Sequence, residues 1–274
     1  MNMRVSVIVP SKGCQYLKYL LWSLSHQTVK PYEIVLVIKE CDIKTIEDLC
    51  RENGLPCVVI EQKEGYFTHA LNIGKREAHG DVIVFTDDDV ILPKRWLERW
   101  VKYHKLYRTV VGISSRDVHL DLSRSRILPT PDDLPSTRLY RWFIRTWREK
   151  PHQLLRKYRL GVYITEGHNM AHGAYIPHRQ CFSLPFRGVN MSFKSEYIYD
   201  VWFPKHPLLK RAPGNEQYFG LQLILKGYDT IYTPNNPVLH IIRESLSRTR
   251  DRAELKNEIE VMRSLIRGLL GKAQ

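Results

Sequence analysis

Four apolar residues lead directly into three carboxylates at residues 81–89, which read Asp81-Val82-Ile83-Val84-Phe85-Thr86-Asp87-Asp88-Asp89. An apolar run of this length and composition predicts a strand that is buried on both faces. Three carboxylates leaving such a strand repel one another, so we expect a cation to offset the repulsion. Carboxylate oxygens suit Mg²⁺ or Mn²⁺. The alternative is a solvated acidic turn before a helix at Pro93, and the run alone favours neither.

Apolar runs and helical patterns alternate throughout the first 110 residues. We predict strands at residues 4–10, 33–38, 57–61 and 81–86, with helical spacing at 16–24 and 68–78. Apolar strands that alternate with helices predict an α/β fold with a doubly wound, mostly parallel sheet and helices on both faces. Because such sheets bind ligands beyond the carboxyl ends of their strands, the residues after the first, second and fourth strands are the first candidates for a site.

The middle of the chain has a different character. Residues 116–187 contain six prolines and little alternation, and we expect a long loop-rich insertion there. Regular structure resumes with a strand at 189–193, a helix at 216–226, a strand at 230–233 and an amphipathic helix at about 250–270. We therefore expect a single domain made of an α/β half at 1–111, a second half at 112–243 and a C-terminal helical segment at 244–274.

The positive charge is concentrated in the second part of the chain. Of a net charge of +13, residues 1–110 contribute only +2, from 16 basic and 14 acidic residues. This asymmetry predicts an anionic partner for the second part, such as a nucleotide diphosphate, a lipid phosphate or a membrane surface. A helix predicted at 138–148 would place Arg138, Arg141, Arg145 and Arg148 on one face. A solvated basic face is the default interpretation, and a membrane-surface helix is the alternative, because Trp142, Phe143 and Trp147 accompany the arginines.

The sequence also bears on the compartment of the protein. No apolar stretch approaches the roughly 20 residues that a membrane span needs, and the chain passes into its first strand without room for a signal peptide. The five cysteines are odd in number and form no C-x-x-C pair, so we expect reduced thiols. Together these features predict a cytoplasmic protein, with peripheral contact at the cytoplasmic membrane face left open.

Several motifs in order resemble the family-2 glycosyltransferases, which have the GT-A fold. Asn72-Ile73-Gly74, Ala78 and Gly80, followed by the strand that ends in Asp87-Asp88-Asp89, are similar to the stretch leading into the family's D-x-D motif. The resemblance extends to further segments in the same order, namely 5–11, 23–34, Gly188-Val189-Asn190-Met191, Gly214-Asn215-Glu216-Gln217 and Tyr232-Thr233-Pro234 followed by His240. It covers about residues 4–111 and 187–243.

The resemblance implies a role for each matching residue. Asp89 and His240 correspond to ligands of Mn²⁺ or Mg²⁺, and Glu216 corresponds to the catalytic general base. The implied contacts of the nucleotide-sugar donor are Pro10, Ser11, Asn72, Asp87 and Asp88. Gly188, Asn190 and Met191 correspond to a segment on the acceptor side.

One departure from the family pattern affects the donor site. The usual Asp pair after the second strand is replaced by Ile38-Lys39-Glu40-Cys41-Asp42. Glu40 or Asp42 is expected to substitute for the carboxylate that reads the nucleotide base. The identity of the base therefore stays open.

The leading functional hypothesis is an inverting glycosyltransferase that moves a sugar from a nucleotide-diphosphate sugar to the hydroxyl of a glycan or lipid-linked acceptor. One alternative is a sugar nucleotidyltransferase, but Ser11-Lys12-Gly13 is short for the glycine-rich basic loop which that chemistry uses. A non-catalytic nucleic-acid-binding protein is compatible with the charge. However, the sequence contains no recognition motif for nucleic acid, so we expect no nucleic-acid partner.

Overall fold

The apolar runs of the first half form four parallel strands separated by helices. In a computed structural model, which describes residues 3–145, 148–242 and 252–272, the strands are β1 (Val5–Lys12), β2 (Glu33–Lys39), β3 (Cys57–Glu61) and β4 (Val82–Phe85). Between them lie helices α1 (Leu17–Ser25), α2 (Ile43–Glu52) and α3 (Phe67–Glu77). The four strands, α1 and α3 agree with their predicted counterparts to within about two residues, because an apolar period is a local property of the chain. Helix α2 was not predicted.

The described residues of the rest of the chain add further strands and four α-helices. The strands are β5 (Val90–Ile91), β6 (Val110–Ser114), β7 (Asp117–Asp121), β8 (Arg126–Leu128), β9 (Val162–Ile164), β10 (Met170–His172), β11 (Cys181–Phe182), β12 (Met191–Lys194), β13 (Asp229–Tyr232) and β14 (Val238–Ile241). The helices are α4 (Trp96–Leu106), α5 (Pro135–Tyr140), α6 (Asn215–Leu225) and α7 (Arg252–Gly271). A π-helical turn at Arg141–Arg145 continues α5.

Strands from both halves form one eight-stranded sheet, in the order β11-β13-β6-β12-β4-β1-β2-β3. β12 runs antiparallel to both β4 and β6, and β11 runs antiparallel to β13, whereas the other neighbours are parallel. The predicted boundary between the halves, at residue 111, therefore falls inside β6 and does not separate two folding units. The α/β fold class with a mostly parallel sheet is confirmed.

The large sheet is buried on both faces. Val5, Val7 and Val9 of β1 belong to one core layer with α1 and α4. Ile8 packs in a second layer that contains residues of α3 and α6, among them Ala70. Alternate residues of one strand thus enter opposite cores, as expected of a parallel sheet covered by helices.

A second sheet of four strands, ordered β5-β14-β7-β8, continues from the carboxyl end of β4. β14 pairs antiparallel with β5 and parallel with β7. Residues 116–187 are therefore less loop-like than predicted. They contain strands of this second sheet and the β9–β10 pair, and a third core cluster joins Tyr163 and Ile164 to Met262 and Ile266 of α7.

The predicted basic stripe at 138–148 is not a continuous solvated face. Arg141 is buried and forms an ion pair with the equally buried Asp132, because an unpaired arginine would be costly in the interior. Apolar side chains are exposed instead, with Leu139 61% and Phe143 68% accessible. Trp147, the side chain of Arg145 and the predicted segment at 244–251 lie outside the described residues.

The expectation of reduced thiols is wrong for one pair, since Cys14 and Cys41 form a disulfide with a Cα–Cα distance of 5.9 Å. The two cysteines follow adjacent parallel strands, β1 and β2, whose last residues Lys12 and Lys39 are register partners. The two cysteines are 27 residues apart in the sequence, and only strand pairing brings the two strand ends together, so the sequence did not reveal their adjacency.

In the part of the chain that the structure describes, none of the helices has both the length and the apolar character that crossing a membrane requires.

Candidate active site

The three consecutive aspartates lie at the carboxyl edge of the large sheet, directly after β4. Asp88 and Asp89 are almost fully buried, whereas Asp87 is half-buried. The hydroxyl of Ser11, at the end of β1, donates a hydrogen bond to the carboxylate of Asp88. Two of the predicted donor residues are therefore in contact, although they lie 77 positions apart.

Strand pairing brings His240 to Asp89. His240 is the register partner of Val90 in the β14–β5 pair, and the amide of Ile241 donates to the backbone oxygen of Asp89 over 2.8 Å. As a result, Nε2 of His240 lies 3.3 Å from Oδ2 of Asp89. One ligand atom each from Asp87, Asp89 and His240 lie within 4.8 Å of one another. Two carboxylates and an imidazole are a donor set that suits Mn²⁺ or Mg²⁺.

The other nitrogen of His240 contacts a residue that the sequence analysis missed. Asp117, the first residue of β7, accepts a hydrogen bond from Nδ1 of His240 over 3.0 Å. Burial acts to lower the pKa of His240, but the hydrogen bonds to Asp117 and Asp89 outweigh it and raise that pKa to about 10. The same contact and the charge of Arg187 lower the pKa of Asp117 to about 2, although burial opposes the change. Nothing local in the sequence pointed to Asp117, because its partner follows 123 residues later.

Glu216 lies in the first turn of α6. Gly214 precedes it as the N-cap with φ of +87°, and a Cβ at that position would clash with the sulfur of Met170. Glycine therefore allows the sharp entry into the helix. Burial raises the pKa of Glu216 above its ordinary value of 4.5, despite the opposing charge of Arg187. A carboxyl group with a raised pKa on a rigid helix is suited to accept a proton near neutral pH.

Arg187 lies between the aspartate–histidine cluster and Glu216. Its Nε is 3.6 Å from Oδ1 of Asp117, it pairs with Asp132 through Nη2, and its charge acts on Glu216. The next residue, Gly188, is also adjacent to Glu216, since a Cβ built there would lie 4.0 Å from the Glu216 carboxyl carbon. The structure therefore brings Gly188, one of the predicted acceptor-side residues, to the predicted base.

Three other predicted site residues are packed in the interior. The side chain of Asn72 exchanges two hydrogen bonds with the backbone of Phe203 and is 3% exposed. Asn190 is fully buried and binds Trp96 and the backbone oxygens of Arg116 and Asn236. Met191 is buried in the core. Their polar groups bind the interior or their surfaces are covered by it, and their assignment to the donor and acceptor sides stays a prediction.

The remaining predicted donor residues are at the same edge as Ser11. Pro10 is the register partner of Val37 within the β1–β2 pair. Glu40 follows β2 with a positive φ of 59° and pairs with Lys12 over 3.2 Å, both side chains being well exposed. The role of either residue in reading the nucleotide stays a prediction.

A partly buried donor set for a metal ion, a glutamate with a raised pKa and a mostly parallel sheet point to one class of protein. Residues 6–167, more than half of the chain, match the model of glycosyl transferase family 2. The chain belongs to this family. The match extends into the 116–187 segment, where no resemblance was recognised, and ends before Glu216 and His240.

The similar proteins agree with this assignment. Over 102 residues the chain is 33% identical to the uncharacterized glycosyltransferase YwdF of Bacillus subtilis (strain 168), covering 36% of this chain and 38% of that protein. Two solved structures share the fold. S. aureus TarS 1-349 in complex with UDP-GlcNAc has a TM-score of 0.61 at 16% identity, covering 96% of this chain and 66% of that one. The mannosyltransferase PcManGT of Pyrobaculum calidifontis, in complex with GDP-Man and Mn²⁺, has a TM-score of 0.57 at 19% identity, covering 96% and 63%. The chain thus spans less than two thirds of these proteins.

Proposed function

We propose that this protein is an inverting glycosyltransferase that moves a sugar from a nucleotide-diphosphate sugar to an acceptor hydroxyl. The observation that carries the proposal is the convergence of Asp87, Asp89 and His240 at the sheet edge, with Glu216 linked to them through Arg187 and Asp117. This arrangement separates a cation site for the leaving diphosphate from a base for the acceptor. A site that holds both groups supports a single displacement, in which the acceptor oxygen replaces the diphosphate and the configuration of the anomeric carbon is inverted.

The reaction follows from these positions. The carboxylate of Glu216 accepts the proton of the acceptor hydroxyl while the oxygen forms a bond to the anomeric carbon. The bond between that carbon and the diphosphate oxygen breaks at the same time, and the nucleoside diphosphate leaves with the electron pair. Asp89 and His240 would hold Mn²⁺ or Mg²⁺, which neutralises charge on the departing diphosphate. Ser11 holds Asp88 in place at the donor edge.

The donor is identified by its base and its sugar. The ligands bound by the two neighbours, UDP-GlcNAc and GDP-Man, support a nucleotide-sugar donor here and leave both bases as candidates. We therefore propose a thermal-shift screen of UDP- and GDP-sugars with Mn²⁺ and with EDTA. A ligand stabilises the fold by RT ln(1 + [L]/Kd), so the donor should raise Tm only when the metal is present.

Transfer measurements complete this test. The selected donor should yield free nucleoside diphosphate in a metal-dependent reaction, and Asp89→Asn should abolish it. Asp81→Asn is the matched control, because Asp81 lies at the opposite end of β4 and contacts Arg4. Full turnover in excess chelator would contradict the metal assignment, and the absence of any stabilising sugar nucleotide would contradict the proposed reaction.

We further propose that the acceptor is glycan or lipid-linked and that the protein contacts a membrane surface peripherally. An exposed apolar patch supports peripheral contact: Leu139, Tyr140, Trp142 and Phe143 are between 42% and 68% exposed. Exposed aromatic and aliphatic side chains beside a basic segment are typical of surfaces that enter the headgroup region of a bilayer.

Binding to liposomes tests the membrane contact. The protein should sediment with anionic liposomes and be released by salt, because electrostatic attraction is screened over about 10 Å at 0.1 M salt. The double variant Leu139→Ser/Phe143→Ser should lose binding, whereas Trp22→Ser, which removes a 55% exposed side chain elsewhere, should not. Equal sedimentation with neutral and anionic liposomes, or no loss in the double variant, would contradict the proposal.

A further inference from the structure

Asp117 is a buried carboxylate whose contacts point to a role beyond stability. Its side chain is 6% exposed, and burying a charge is costly unless the charge is paired. The pairing is supplied by two groups, the Nδ1 of His240 at 3.0 Å and the guanidinium of Arg187 at 3.6 Å. Arg187 in turn is held by Asp132. Asp117 is therefore fixed as an anion with one oxygen directed at the His240 ring.

The backbone holds this contact in one geometry. Asp117 and His240 lie on adjacent parallel strands, with Val238 opposite Asp117 and His240 opposite His119. On its other side β14 pairs with β5, which follows the aspartates directly. Asp89 directly precedes β5, His240 lies on β14 and Asp117 lies on β7, and β14 pairs with both other strands. The His240 ring therefore lies between the two carboxylates.

The two nitrogens of His240 therefore have different tasks. Both ring nitrogens face carboxylate oxygens, Nδ1 that of Asp117 at 3.0 Å and Nε2 that of Asp89 at 3.3 Å. A divalent cation bound by Asp89 would take the place of a proton on Nε2, while the N–H at Nδ1 would still be donated to Asp117. A histidine that binds a metal commonly donates its other N–H to a carboxylate, which fixes the tautomer and the ring orientation and makes the ligand more basic. The carboxylate–histidine pair seen here has the geometry of that arrangement.

We propose that Asp117 is a positioning residue that sets the tautomer of His240 and directs Nε2 at the divalent cation shared with Asp87 and Asp89. Arg187 pairs with the other oxygen of Asp117 over 3.6 Å and holds the carboxylate in place. The inference rests on the proposed function, because it assumes a cation at this cluster. It adds a residue that acts through His240 and does not itself touch the metal or the substrate.

The first experiment measures Mn²⁺ affinity, with the free ion detected by electron paramagnetic resonance. Asp117→Asn should weaken binding about 10- to 100-fold, the usual effect of losing such a partner. Asp121→Asn is the matched control, because Asp121 lies on the same strand but binds Ser123 and Arg124. In a His240→Ala background, Asp117→Asn should have no further effect, since residues that act through one another are not additive. A purely structural role would persist in that background.

The second measurement needs no substitution at Asp117. The ¹⁵N shifts of the His240 ring in the Mg²⁺-loaded wild-type protein should show a protonated Nδ1 and an unprotonated Nε2. The opposite tautomer, or wild-type Mn²⁺ affinity in Asp117→Asn, would overturn the inference while leaving the metal assignment intact. A wild-type protein that binds no Mn²⁺ would instead overturn the metal site of the proposed function, and the inference with it.

Discussion

Asp117 and Glu216 are acidic residues that both interact with Arg187. Their surroundings shift their pKa values in opposite directions. For Asp117 the contacts with His240 and Arg187 outweigh burial, and its pKa falls to about 2. For Glu216 burial outweighs the charge of Arg187, and its pKa is raised. Two carboxyl groups whose pKa values are moved apart in this way are typical of a site in which one group stays ionised and the other exchanges protons.

Replacing Glu216 tests its assignment as the base. Glu216→Gln keeps the shape of the side chain and removes the proton acceptor, so turnover should fall about 10²- to 10⁴-fold. Donor affinity should stay nearly unchanged, because the cation site is untouched. Glu260→Gln, which alters an exposed acid paired with Arg263, is the control. Near-normal turnover in Glu216→Gln would show that the residue serves only the helix terminus.

The pH dependence of the wild-type enzyme follows from the same shift. A base acts only when it is ionised, so turnover should be full above the raised pKa of Glu216 and fall as the pH drops through it. The acid limb of the rate profile should therefore lie above 4.5, the ordinary value for glutamate. A limb at or below that value in the wild-type enzyme would contradict a base whose pKa is raised by its surroundings.

At the scale of elements, the C-terminal helix holds the segment that leads into α6. Glu258 of α7 is 1% exposed and accepts hydrogen bonds from the backbone amides of Arg211 and Ala212, at 3.0 and 2.8 Å. Met262 and Ile266 of the same helix pack in the core cluster that includes Ala212 and Leu221. Helix α7 therefore holds in place the segment that precedes Glu216. It does so although it lies outside residues 6–167, which match the family model.

Removing the Glu258 carboxylate should loosen this connection. Hydrogen bonds to a charged group contribute about 1.5–3 kcal/mol each, and Glu258→Ala leaves two amides without their acceptor. We expect the free energy of unfolding to drop by about 2–4 kcal/mol in urea titrations. Glu260→Ala, two residues further along the same helix on its exposed side, should change the free energy of unfolding by less than about 0.5 kcal/mol. Equal effects of the two variants would contradict the role of Glu258.

At the scale of the whole molecule, one covalent link and one sheet join distant parts of the chain. The disulfide between Cys14 and Cys41 connects the ends of β1 and β2, beside the predicted donor residues Ser11 and Glu40. β12 joins the two halves by pairing with both β4 and β6. The predicted donor and acceptor residues therefore lie on one continuous sheet.

The disulfide makes a prediction about global stability. Closing a loop of 27 residues restricts the unfolded chain and should stabilise the fold by about 3.5 kcal/mol. A reductant should lower the urea midpoint of the wild-type protein by the corresponding amount and leave Cys14→Ser/Cys41→Ser unchanged. Thiol titration of the unreduced, denatured protein should find three free thiols, at Cys50, Cys57 and Cys181. Five reactive thiols would contradict the bond.

The sequence by itself determined the α/β class, the first four strands, α3, the helix that carries Glu216 and the aspartates at the edge of the sheet. These features follow from apolar periodicity and from residues that are close together along the chain, and both are local properties. The edge position of Ser11 and the aspartates also followed, because parallel strands place their carboxyl ends together.

Only the tertiary structure decided which side chains meet and which are buried. Asp117 contacts His240 across 123 positions, Cys14 reaches Cys41 through strand pairing, and Arg141 turns inward to Asp132. Asn72, Asn190 and Met191 match the family motif in sequence, but they are enclosed by distant segments. The physical reason is that burial and pairing depend on contacts between residues far apart in the chain, whereas a sequence pattern records only the preferences of neighbours.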